Sequence, residues 1–136
     1  MSDTVSGERC TYTRLDNGVH ELIFRESSRE AIDEFFRHVE SILKNTPPTE
    51  VARYILDVTQ ADRPVSMMGI IQRFRKLETS MPRRAKGRTA ILHPQGSMLS
   101  FVDGLIRALA PSQDVTRFFP TEKRDEAIAW VLTDER

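Results

Sequence analysis

Residues 51–77, VARYILDVTQADRPVSMMGIIQRFRKL, leave this chain few ways to fold. Val51, Tyr54, Ile55, Leu56 and Val58 form a nearly continuous apolar run. A run of that length fits a strand covered on both faces. Pro64 then removes a ladder donor and disfavours helix at Arg63. Beyond it Met67, Ile70, Ile71, Phe74 and Leu77 recur at three- and four-residue spacing, one face of an amphipathic helix. The stretch therefore reads as strand, turn, helix, with Ser66 at the start of the helix. Ligands of open α/β sheets gather beyond the carboxyl ends of strands. The first turn of a helix offers unpaired N–H groups and a positive dipole end. Two readings of Ser66 follow. It is an N-cap, a role serine often takes, or it is a phosphoacceptor whose charge would be well placed there.

The flanking sequence extends the same pattern. Residues 10–15 and 19–24 surround Asp16-Asn17-Gly18, a hairpin signal that predicts a type I′ turn. Ser27 and Glu30 have capping-box spacing and predict a helix whose buried stripe is Ile32, Phe35, Phe36, Val39, Ile42 and Leu43, ended by Pro47-Pro48. His38 lies beside that stripe, with no partner at metal-ligand spacing. Residues 89–93 predict a short strand ending at His93, on the side where ligands bind. Residues 97–110 predict a third helix and 115–119 a fifth strand. Thr121 predicts the N-cap of a last helix bearing Ala127, Ile128, Val131 and Leu132, with Trp130 covering an edge of the core or an interface. The order is β-β-α-β-α-β-α-β-α. It predicts one α/β domain over residues 9–133, a mixed, mostly parallel five-stranded sheet packed against helices, after a frayed polar end at residues 1–8.

Composition narrows the function classes. The 136 residues carry 20 Lys+Arg against 20 Asp+Glu, so no global field favours nucleic acid or an anionic membrane. Locally, residues 73–88 hold Arg73, Arg75, Lys76, Arg83, Arg84, Lys86 and Arg88 against Glu78 alone. Phe74 is the only aromatic residue in that basic run, too few to interleave it as nucleic-acid stacking requires, and the run reads as a solvated helix end and loop, or as a site for phosphates or an acidic protein face. No run approaches a membrane span. The single cysteine, Cys10, excludes an internal disulfide, predicts a reducing compartment and is placed in the first strand. The start MSDTVSGER lacks the basic-then-apolar order of a signal peptide, so a cytoplasmic protein is expected.

The order of elements is similar to that of the STAS domain, the fold of bacterial anti-sigma-factor antagonists and of the cytoplasmic tails of sulfate transporters. The family motif is a strand end with an aspartate, then a short loop, then aspartate-serine-glycine opening a helix. LDVTQADRPVSMMGI stands in that place. Leu56-Asp57 and Thr59 match the strand end, and Ser66 falls at the serine that partner kinases phosphorylate. Val65 replaces the preceding aspartate, and Met67-Met68 replace the small residues after it. The ending RFFPTEKRDEAIAW looks like the tail of an uncharacterised antagonist-like STAS subgroup. The resemblance implies a non-enzymatic regulatory module that binds a partner protein, of kinase, anti-sigma or other regulatory type, without cofactor or metal. Its candidate binding residues are Asp57, Thr59, Asp62, Ser66, Met67 and Arg73. A homodimer is an open alternative.

A second reading is a small-ligand domain for a lipid or an anion. In it Met67, Met68, Met81 and Met98 line an adaptable pocket, and Arg73 or Arg84 holds a head group. The same methionines serve equally as core filler. An enzyme is the least supported reading. Asp57, Asp62, Ser66 and His93 gather toward one sheet edge, but no nucleophile elbow, phosphate-binding glycine loop or metal spacing fixes their geometry.

Overall fold

The computed structural model describes residues 3–5, 9–94 and 114–134, with the backbone alone at 3–5 and at Met67. Within them the chain runs β1 (Asp3–Val5), β2 (Cys10–Arg14), β3 (His20–Phe24), α1 (Arg29–Lys44), β4 (Val51–Asp57), α2 (Met67–Ser80), β5 (Lys86–His93), β6 (Val115–Pro120), a 3-10 turn at Thr121–Lys123, and α3 (Arg124–Val131). The six strands lie side by side in chain order. β1, β2 and β3 pair antiparallel, and β3 through β6 pair parallel. The mixed, mostly parallel α/β sheet is as expected. A sixth strand, β1, falls within the end expected to fray, where Val5 pairs with Tyr12. The third expected helix, at 97–110, lies outside the described residues.

Alternation along the strands divides the interior in two. Leu22, Leu56, Ile91 and Phe118 form one row across β3 to β6. They face α1 and α2 in a cluster that includes Phe24, Phe35, Phe36, Val39, Tyr54 and Leu77. The opposite face carries Val19, Ile55, Ala90, Leu92 and Phe119, and among the described residues α3 covers it with Ala127 and Val131. That two-sided burial explains why β4 reads as a nearly continuous apolar run.

Several local readings need correction. The β2–β3 connection is not a type I′ turn, because only Gly18 has positive φ, at 86°. Gly18 N donates to Leu15 O and Leu15 N to Val19 O, each at 2.9 Å, the three-residue hairpin with glycine in the left-handed position. Asn17 does not take positive φ, and its side chain accepts from Val19 N at 3.0 Å. α1 is capped by Ser28, not Ser27; the Ser28 hydroxyl accepts from Ala31 N at 3.2 Å and donates to Glu26, so Glu30 closes no box. Thr121 makes no capping bond; it opens the 3-10 turn, and α3 starts at Arg124. β5 begins at Lys86, three residues before its expected start, because Arg88 is not a loop cation. It is 4 % exposed and lies over the Trp130 ring at 3.9 Å.

Candidate functional site

The candidate site is the corner where β4 gives way to α2. At the strand end Asp57 Oδ1 accepts from Thr59 N at 2.7 Å and from Thr59 Oγ1 at 2.6 Å. This side-chain turn stops the strand and fixes the loop direction. Asp62 Oδ1 accepts from Ser27 N at 3.3 Å, tying the loop to the segment before α1. Val65 then inserts into the core at 8 % exposure. An apolar residue here anchors the loop where an aspartate would need a partner.

Ser66 follows as the N-cap of α2. Its backbone is extended, its Oγ accepts from Gly69 N at 3.1 Å, and its carbonyl accepts from Ile70 N at 3.2 Å. The side chain is exposed. Gly69 permits this fit, since a Cβ there would lie 3.2 Å from Ser66 Oγ and 3.6 Å from Ile32 Cδ1. No acidic residue occupies the first turn of α2, so no side chain of that turn offsets the positive helix end. Met68, 46 % exposed, stands beside it. Together these give a solvent-facing hydroxyl on a helix N-terminus, with the exposed Met68 two residues on and the exposed Asp62 in the loop before it.

The structure brings Asp57, Thr59, Asp62 and Ser66 into this one loop. Arg73 does not join them. It stands seven residues along α2, donates from Nη1 to Asp33 Oδ1 at 2.6 Å, and lies 4.8 Å over the Phe36 ring. It clamps α2 to α1, and its guanidinium holds the Asp33 carboxyl below the usual range. The side chain of Met67 and all of Met98 lie outside the described residues. Met68 and Met81 occupy opposite ends of α2, which at 1.5 Å per residue puts them roughly 20 Å apart. They cannot line one small pocket. Arg84 is likewise committed, through Nη1 and Nη2 to the carboxylate of Asp114 and through Nη1 to Ala85 O.

Two further side chains with chemical potential are held by their surroundings. The Cys10 thiol is fully buried, and burial, with Glu34 adding, pushes it up to about 12, away from nucleophilic use. His93 Nδ1 sits 2.8 Å from the Pro94 carbonyl, and its ring lies 6.2 Å from Phe118. Among the described residues no group of three or more His, Cys, Asp or Glu is placed to hold a metal. Nor is any helix long and apolar enough to cross a membrane.

One cluster was not anticipated from sequence. Tyr12, His20, His38 and Tyr54 meet beneath α1, with successive rings 5.5 to 5.8 Å apart. Tyr12 Oη lies 2.7 Å from His20 Nδ1, and His38 Nε2 lies 3.3 Å from Cys10 O. Burial, helped by Arg14, holds the His20 ring at about 4, so it is neutral at neutral pH. The only trace in the sequence is a Tyr and a His on opposite arms of one hairpin, which strand register alone brings together.

Comparison of the chain with known protein families, with curated proteins and with solved structures finds no match.

Proposed function

We propose that this protein is a non-enzymatic regulatory module of STAS-like kind, which binds a partner protein at the β4–α2 corner and is gated at Ser66. One observation carries the reading: the Ser66 hydroxyl is exposed on the N-terminus of a 14-residue helix whose first turn holds no acid. A phosphate there adds about −1.5 to −2 charges and three acceptor oxygens beside unpaired helical N–H groups. It changes the charge of the surface without touching the core, because Val65 rather than Ser66 anchors the loop. Met68 supplies an apolar contact, and Asp62 limits the approach of acidic partners. Asp57 and Thr59 act by shaping the loop; their polar atoms are turned onto each other.

The test is a quantitative pull-down from native lysate with wild type, Ser66→Asp and Met68→Glu, followed by affinity measurement on the recovered protein. Partner affinity is expected to change at least about tenfold between wild type and Ser66→Asp, about 1.4 kcal/mol. Equal affinities for all three forms sink the assignment of this corner.

A further inference from the structure

We infer that the opposite end of the strands, by the segments leading into β4 and β5, carries a second site, for a small amphiphile with an apolar tail and one anionic head group. It is independent of the Ser66 reading. The segment after α1 and the segment after α2 both return to the amino ends of their strands, and between them lies a pocket of about 380 Å³. That volume is in the range of small-molecule sites, in a pocket that stands open to solvent. Leu43, Pro48, Met81 and Pro82 give it apolar walls, while Lys44 and Arg83 stand exposed at its rim. Among the described residues no acidic one lines it.

Among the described residues, neighbouring groups take the helix-end bonds that the two rim cations could make. A lysine at a helix end commonly serves the last carbonyls. Here other groups do so: Asn45 Nδ2 donates to Ser41 O at 2.8 Å and Thr46 Oγ1 to Ile42 O at 2.6 Å. At the end of α2, Ser80 Oγ donates to Leu77 O at 3.2 Å and Met81 N to the same carbonyl at 2.8 Å. Among the described residues neither Lys44 nor Arg83 has an ion-pair partner. Arg84, whose side chain is 3 % exposed, also lines the pocket, and its Nε has no acceptor among the described residues. Apolar walls with cations and no anions select a hydrocarbon that ends in a carboxylate or phosphate. A bare inorganic anion gains nothing from Leu43, Pro48 and Met81. A neutral chain gains nothing from Lys44 and Arg83.

Isothermal titration of the purified chain with octanoate, octanol and inorganic phosphate separates these contributions, and amide chemical shifts locate the site. Octanoate is expected to bind saturably, at least about tenfold more tightly than octanol or phosphate. Its shifts should centre on residues 43–48 and 81–84. The double variant Lys44→Glu/Arg83→Glu alters only exposed side chains and should lose octanoate about tenfold or more, with an unchanged circular-dichroism spectrum. Ser66→Asp should bind octanoate as wild type does. Absence of saturation, equal affinity for octanol and octanoate, shifts centred elsewhere, or full retention by the double variant each overturns the proposal. None of these results bears on Ser66.

Discussion

His20 shows how a single side chain can tie this fold to pH. Its ring is held neutral by burial against Tyr12 and Tyr54, with Arg14 adding to the effect. An ordinary histidine titrates near 6.5, and His20 in the folded chain titrates at about 4. The unfolded chain therefore binds the proton more readily. The contribution is intact above about pH 6.5 and is lost as pH falls through 4. At full loss it amounts to at most about 3 kcal/mol, from 1.36 kcal/mol per unit. Urea denaturation of wild type and His20→Asn at pH 7 and pH 4.5 should show the wild type losing more stability than the variant; parallel losses would exclude the effect. Arg88 is a second such residue. Its Nε donates to Trp130 O and its Nη2 to Thr133 Oγ1, each at 3.0 Å, beneath the indole ring. Arg88→Leu removes both bonds and the ring contact and should cost about 2–4 kcal/mol, read by chemical denaturation.

At the scale of elements, the caps separate what the sequence shows from what only the fold shows. Ser28 and Ser66 each accept a bond from the amide three residues on, so Ser28→Ala and Ser66→Ala should each cost about 1 kcal/mol. Ser27→Ala should be nearly silent in the same denaturation assay, since the bond of Ser27 to Asp62 comes from its backbone. The stripes of α1 and α2 and the run of β4 were legible because each repeats with the period of its element. The choice between Ser27 and Ser28 was not, because both satisfy the local pattern. The basic stretch at 73–88 was misleading for another reason. Its anions lie far off in sequence: Asp33 for Arg73, Asp114 for Arg84. Asp114→Ala leaves the guanidinium of Arg84 enclosed without its carboxylate and frees Gly87 N, a loss expected at about 3–5 kcal/mol in urea. A mild effect there would show that water reaches Arg84 freely.

For the whole molecule, the two cores share the same strands, since Tyr54 and Leu56 face α1 and α2 while Ile55 faces α3. Unfolding should therefore be a single transition. Trp130, the one tryptophan, reports the α3 side. Phe36→Ala, on the far side, should lower stability by about 3–5 kcal/mol and shift the Trp130 fluorescence and circular-dichroism midpoints together. Separated midpoints would mean that the faces open independently. The α/β class was readable because strands and helices alternate in the sequence. The division of faces was not, because an apolar run in β4 says that both sides are covered but not by what. The candidate corner was legible through Pro64 and Ser66, while the commitment of Arg73 to Asp33 needed the packing of two helices.

Each strand of the sheet lies against the one synthesised just before it. A ribosome can thus deliver this sheet edge first, every new ribbon meeting a template already in place, although each parallel pairing from the third strand onward must still close across a long crossover. The exception is the helix at 124–131, which covers Ile55, Ala90, Leu92 and Phe119 and whose end Arg53 grips by donating to the carbonyls of Val131 and Thr133. Until that stretch clears the exit tunnel, those four oily side chains lack the cover that Ala127 and Val131 give them, and that interval is when a chaperone would matter most.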